Sequence, residues 1–249
     1  TTPQTSRVDA TLEFLEAAIH HTLHARHVYP KELFEPRQLY GARTQRCRHP
    51  ELDAYIGDAI SALRRPIATG DVKRVVLAIK DDDQETAAAS DGPLERFTFD
   101  FLLHGDDEGG KPSRDEVDLC SRAFAACLSK IAFADALLAP LPQTAMAQGR
   151  LSFEIVAYAT RSGVSASMAA GDEWSEERVG AGASYATGDA SRDGGAGPAP
   201  SVGTMEPRLE FGAGVRKEVV PVKSAVTPIV NVDVFVERRA GASSEGPPR

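Results

Sequence analysis

The chain lacks what it would need to hold nucleic acid by itself or to be stapled as a secreted fold. Its formal net charge is -8, with 28 lysines and arginines against 36 aspartates and glutamates, and it contains no basic run. Phosphate contacts supply most of the affinity for nucleic acid, so direct DNA binding by the free chain is not expected, and any work on DNA requires a partner. There are only three cysteines, Cys47, Cys120 and Cys127, widely spaced and without a CxxC. That odd count fits reduced thiols better than a disulfide framework. No apolar stretch approaches the roughly 20 residues of a membrane span, and the N-terminal TTPQTSRVDA has no signal-peptide core. The expectation is a soluble intracellular protein with no membrane partner. Aromatic residues are sparse at 6%, but 42% hydrophobic residues suffice for the core of one large domain or two small ones.

Catalytic motifs are missing as well. Four histidines, His20, His21, His24 and His27, crowd one segment, and His20 and His24 stand four apart. A zinc protease of the HExxH type needs a glutamate where this chain has His21, and no third ligand is evident. These histidines are read as a polar helix face. The acidic runs Asp81-Asp82-Asp83 and Asp106-Asp107-Glu108 lack the alternating spacing of a calcium loop and are read as solvated loops. No GxxxxGK[ST] occurs, no GxGxxG follows a strand, and no GxSxG is present. No catalytic residue, metal or cofactor is expected.

What is present is an ordered series of secondary-structure signals. Residues 9–28 predict a helix, with Asp9 able to cap it and Leu12, Leu15, Ile19 and Leu23 at helical spacing. Tyr29-Pro30 ends it, and an irregular segment to about residue 48 follows. Pro50 and Glu51 suit the first turn of a second helix to about Arg65, with Leu52, Tyr55, Ile56 and Ala59 on one face. Strands are predicted at 72–79 and at 94–101, where Phe97, Phe99 and Phe101 alternate. A long helix at about 114–138 carries Val117, Cys120, Phe124, Cys127, Leu128, Ile131 and Leu138 on its apolar face. A third strand is expected at 151–158, and closing strands at 219–222 and 229–236. Between them lies a Gly-, Ala-, Ser- and Asp-rich excursion, about 162–214, with a low-complexity insert at 187–203 and one tryptophan, Trp174. The sum is α+β, helices packed on a largely antiparallel sheet. A tail at 1–8, one domain over 9–240 and a disordered tail at 241–249 are expected.

This series resembles the HORMA-domain family. The matching pieces are Leu12 to His20, Val28-Tyr29-Pro30, Leu33-Phe34, Tyr40-Gly41, His49-Pro50-Glu51-Leu52 with Tyr55-Ile56, Val72 to Val76, Leu94 to Phe99, Lys130-Ile131, Asp135 to Leu138, Val219 to Lys223 and Val234 to Ala240. Tyr29-Pro30, Tyr40-Gly41, the first sheet strand and the Glu95-Arg96-Phe97 strand are shared with the spindle-checkpoint HORMA adaptor, and a spindle-checkpoint or meiotic adaptor with a different peptide is the alternative. His49-Pro50-Glu51-Leu52 and the ending Phe235-Val236-Glu237-Arg238-Arg239-Ala240 are similar to the branch containing the accessory, non-catalytic subunit of the translesion DNA polymerase zeta.

The resemblance implies a core at about 9–160 and a mobile C-terminal safety belt at about 161–240 that closes over a short partner peptide. It also implies a nuclear adaptor, with a cytoplasmic pool, rather than an enzyme. Tyr55 and Trp174 match positions that contact a proline-containing peptide of the polymerase zeta catalytic subunit. Val219, Asp233 and Phe235 match a second surface for the C-terminal domain of the scaffold translesion polymerase, where Asp233 and Phe235 replace a glutamine and a tyrosine of vertebrate relatives. A helix surface around Arg122, Ala125 and Lys130 matches the family's homodimer contact, with Ala125 where relatives carry an arginine.

Overall fold

The hydroxyl of Ser6 caps the first helix, α1 (Arg7–Ala25), accepting the N–H of Asp9 at 3.0 Å. Asp9 is therefore not the cap expected from the sequence. It lies in the first turn, where its carboxylate faces the positive end of the helix dipole and pairs with Arg64. Leu12, Leu15, Ile19 and Leu23 are buried as expected, but Phe14, Ala18 and His21 form a second buried stripe. The helix is thus enclosed around most of its circumference. It ends at Ala25, earlier than residue 28, because His27 takes a positive φ of 53°.

These details come from a computed structural model that describes residues 6–82, 92–104, 112–159, 211 and 216–239. Residues 1–5 of the expected tail at 1–8, the tail at 241–249, Asp83, Asp106-Asp107-Glu108, the excursion at about 162–214 except residue 211, its insert and Trp174 lie outside the described residues.

The segment expected to be irregular is a hairpin after one short turn of 3-10 helix. Strands β1 (Phe34–Leu39) and β2 (Ala42–Cys47) pair from Phe34 opposite Cys47 to Leu39 opposite Ala42. Tyr40 and Gly41 form the two-residue loop, both with positive φ, 53° and 83°, which is the pattern of a type I′ turn. Helix α2 (Pro50–Ala62) starts at Pro50 and buries Leu52, Ile56, Ala59 and Ile60. A separate short helix, α3 (Arg64–Ala68), follows and accepts Pro66 within its first turn, where the missing N–H costs nothing.

Five antiparallel strands make the main sheet: β3 (Val72–Asp81), β4 (Glu95–Leu103), β5 (Leu151–Ala159), β6 (Lys217–Val226) and β7 (Val230–Arg239), in the order β5-β3-β4-β7-β6. Alternation sends Phe97, Phe99 and Phe101 of β4 and Val230, Val232, Val234 and Val236 of β7 into one core with the helices. Arg74, Asp100, Asp233 and Phe235 point to the other, outer face.

Helix α4 (Arg114–Ala132) opens with a capping box, Ser113 and Glu116 each bonding the other's backbone N–H. Its Phe124 stacks on Phe14 of α1 with ring centroids 4.4 Å apart. The helix does not run to residue 138. Phe133 breaks it, and two short helices, α5 (Ala134–Leu137) and α6 (Gln143–Ala147), carry the chain to β5.

One polar group ties these parts together. The Arg26 guanidinium, 1% exposed, donates to both oxygens of Glu95 at 2.9 and 2.8 Å, to Asp135 at 2.7 Å and to the Ala139 carbonyl at 2.8 Å. The end of α1, the start of β4 and α5 meet on this one side chain.

Sheet order has a direct consequence for the chain's path. Among the described residues β5 and β6 are consecutive strands yet occupy opposite edges. Their connection joins points four strand spacings apart, roughly 19 Å.

Candidate functional site

Among the described residues β5 has a strand neighbour on one side only. Its residues pair with β3 from Leu151 opposite Asp81 to Ala159 opposite Val72, and its outer edge has no strand partner among the described residues. An unpaired edge offers a row of N–H and C=O groups that an extended peptide can complete.

α2 brings Tyr55 to this edge. Its ring meets Phe153 of β5 edge-on at 5.7 Å, and Tyr29 meets the same ring edge-on at 6.1 Å. Tyr55 is half-buried, and its hydroxyl makes no hydrogen bond among the described residues. Burial, with a smaller push from the Glu154 carboxylate, raises its pKa to about 12, so it stays a neutral donor. The apolar spacing of α2 therefore serves two ends: Leu52, Ile56 and Ala59 fix the helix to the core, and Tyr55 is left beside the open strand. Trp174, the other residue matched to a peptide contact, lies outside the described residues.

The three residues of the second surface do come together. Val219 is 57% exposed on β6, and the register sets Pro221 opposite Phe235 and Ser224 opposite Asp233. Val219, Asp233 and Phe235 all face outward, on the far side of the sheet from the helices. Arg74 lies over the Phe235 ring at 5.9 Å and is held by Asp100 through two hydrogen bonds of 2.6 and 2.7 Å. This surface is at the β6 end of the sheet and on the opposite face from Tyr55.

On α4, Arg122 and Lys130 are exposed and Ala125 is half-buried against the core. Two apolar side chains that the sequence did not single out extend this side: Phe133, 64% exposed, and Leu137, 52% exposed.

The histidine segment is not a polar face. His20 and His21 are 1% and 5% exposed. His20 Nδ1 accepts the Cys47 N–H at 3.3 Å, and its Nε2 lies 3.5 Å from Asp53. Burial is the main cause that lowers both pKa values to about 4; Arg46 adds for His20 and His24 for His21. Among the described residues there is no group of three or more His, Cys, Asp or Glu placed to hold a metal. Asp81 pairs with Arg150 at 3.1 Å and Asp82 accepts from Ser152 at 2.7 Å, which uses those carboxylates structurally.

No family model matches the chain. Among curated proteins it is 36% identical over 93 residues to human "Mitotic spindle assembly checkpoint protein MAD2B", a match covering 37% of this chain and 41% of that protein. It is 32% identical over 146 residues to the Arabidopsis thaliana "DNA polymerase zeta processivity subunit", covering 56% of this chain and 60% of the relative. The chain thus spans about 40 to 60% of the length of these relatives. Among solved structures, a chain of the mitotic checkpoint complex superposes with a TM-score of 0.62 at 18% identity, over 94% of this chain and 98% of that one. HTP-2 bound to HTP-3 motif-6 superposes with a TM-score of 0.55 at 11% identity, over 96% and 93%. The chain has the HORMA fold, and in sequence it is similar to MAD2B and to DNA polymerase zeta processivity subunits.

Proposed function

We propose that this chain is a non-catalytic HORMA adaptor of translesion DNA synthesis, acting in the nucleus. It takes a proline-containing peptide of the polymerase zeta catalytic subunit along the open edge of β5 and presents its outer sheet face to the C-terminal domain of a scaffold polymerase. The observation that carries this reading is the β5 edge, unpaired among the described residues, with Tyr55 beside it. Strand addition draws affinity from the peptide's main chain and specificity from side-chain contacts such as Tyr55. The connection from β5 to the far edge of the sheet supplies the chain length to pass over such a peptide, and enclosure of that kind acts on the dissociation rate. An acidic chain agrees with protein partners rather than DNA. The relatives named as polymerase zeta processivity subunits and the HTP-2 complex with a short motif point the same way.

Retention of the catalytic-subunit peptide by the immobilised full chain tests this. Tyr55→Ala, Trp174→Ala is expected to lower retention at least tenfold, on the scale of losing aromatic hot spots. Equal retention by wild type and double variant removes the proposed peptide site. The likeness to a mitotic checkpoint chain favours one second reading, a checkpoint or meiotic adaptor with a different peptide. Deletion then produces mitotic-arrest defects with normal damage tolerance, whereas the main reading predicts the reverse.

A further inference from the structure

The register of β5 on β3 fixes which of its main-chain groups are left over. Asp82 donates its N–H to the Arg150 carbonyl at 3.0 Å, and these two residues stand opposite each other, one step beyond the Leu151–Asp81 pair. In an antiparallel pair, residues that bond across to the neighbour alternate with residues whose groups point away from it. Ser152, Glu154, Val156 and Tyr158 therefore direct their N–H and C=O groups at β3. Leu151, Phe153, Ile155 and Ala157 direct theirs at the open edge. The other side of β3 agrees: Ile79 accepts the Leu94 N–H at 2.7 Å, so the odd-numbered residues of β3 serve β4 and the even-numbered ones serve β5.

The same four residues of β5 bury their side chains in the core with the helices. The edge thus presents four N–H groups and four carbonyls on residues anchored by the core, one pair about every 7 Å. Between them, Ser152, Glu154 and Val156 turn their own main-chain groups inward to β3 and offer an added strand only their side chains on the outer face. There Lys80 pairs with Glu154.

A peptide laid along this edge supplies one N–H to each carbonyl it covers. Those donors fall at every second residue of the peptide, whichever way it runs. Proline has no N–H, so it cannot stand at any of them. We infer that the β5 edge reads its peptide by parity: within the paired stretch it requires a free N–H at alternate residues and admits proline only between them. This rests on the peptide-edge reading above and adds to it a rule for which peptides fit. The direction of the peptide changes only the face on which the admitted ring lies. In a parallel strand that ring falls opposite Phe153 or Ile155, on the helix side where Tyr55 stands. In an antiparallel strand it falls opposite Glu154 or Val156, on the outer side. In both cases a proline moved by one residue meets a carbonyl it cannot serve.

Fluorescence anisotropy of the full chain with the proline-containing peptide of the polymerase zeta catalytic subunit tests this. A single N-methyl group is moved one residue at a time along the peptide, which removes one N–H and leaves every side chain in place. Methylation at alternate residues of the paired stretch is expected to weaken binding at least about tenfold, the scale of an acceptor left unmet at a buried contact. Methylation of the residues between is expected to leave Kd within about threefold. Loss at consecutive residues, or equal binding by every methylated peptide, overturns the parity rule. If Tyr55→Ala, Trp174→Ala still weakens binding in that case, the peptide site stands without the rule. If the wild-type chain does not bind the peptide, or binds it no more tightly than that double variant, the peptide reading itself is wrong and the rule falls with it.

Discussion

His20 and His21 sit in the core as neutral rings, and their burial couples folding to pH. In the unfolded chain each titrates near the ordinary histidine value of about 6.5; in the fold burial holds both at about 4. Between those values the unfolded state binds more protons, so stability falls as pH drops from about 6.5 towards 4. A thermal melt at pH 7.5 and again near pH 5 is expected to show a clear loss, and His21→Leu is expected to reduce it, because both ring nitrogens of His21 are buried without a partner. A melting temperature unchanged over that range would contradict the assignment. The positions were hard to read from sequence because the stripe Leu12-Leu15-Ile19-Leu23 accounts for an amphipathic helix by itself. The second stripe, Phe14, Ala18 and His21, also steps by three and four residues but ends on a polar one. Asp233 and Phe235 were easier: once Val230, Val232, Val234 and Val236 face inward, strand alternation sends both outward.

At the scale of elements, the sequence marked helices and strands where apolar periodicity was strong and missed them where it was weak. β1 buries only Phe34 along Phe34–Leu39 and contains Pro36 and two charged residues, so it carries no alternation to detect. Its pairing depends on the tight turn at Tyr40-Gly41 instead. The long apolar stripe of α4 concealed the break at Phe133, which only the exposure of Phe133 and Leu137 makes plain. Arg26 and Glu95 lie far apart in sequence and gave no signal, yet they fasten α1 to β4 and α5. Removing one partner of a buried ion pair leaves an uncompensated charge. Arg26→Ala is expected to destabilise the chain by about 3–5 kcal/mol in chemical denaturation. Replacing Arg26 and Glu95 together by methionine and glutamine is expected to cost less than that single change. If the double variant is the less stable of the two, the pair is not the joint described here.

For the whole molecule, what no single sequence states is the order of the strands. Five strands and an antiparallel sheet follow from the pattern of residues, but the placing of β5 and β6 at opposite edges does not, and neither does the parity of the main-chain groups left over on β5, which depends on register. That order leaves one edge open beside Tyr55 among the described residues and puts Val219, Asp233 and Phe235 at the other end of the sheet. The adaptor reading rests on this separation. Hydrogen exchange of the full chain, with and without the proline-containing peptide of the catalytic subunit, tests it most directly. Addition of a strand to the edge predicts slowed exchange for roughly half the amides of residues 151–159, those directed away from β3. Unchanged exchange over 151–159 while the peptide is bound would contradict the account.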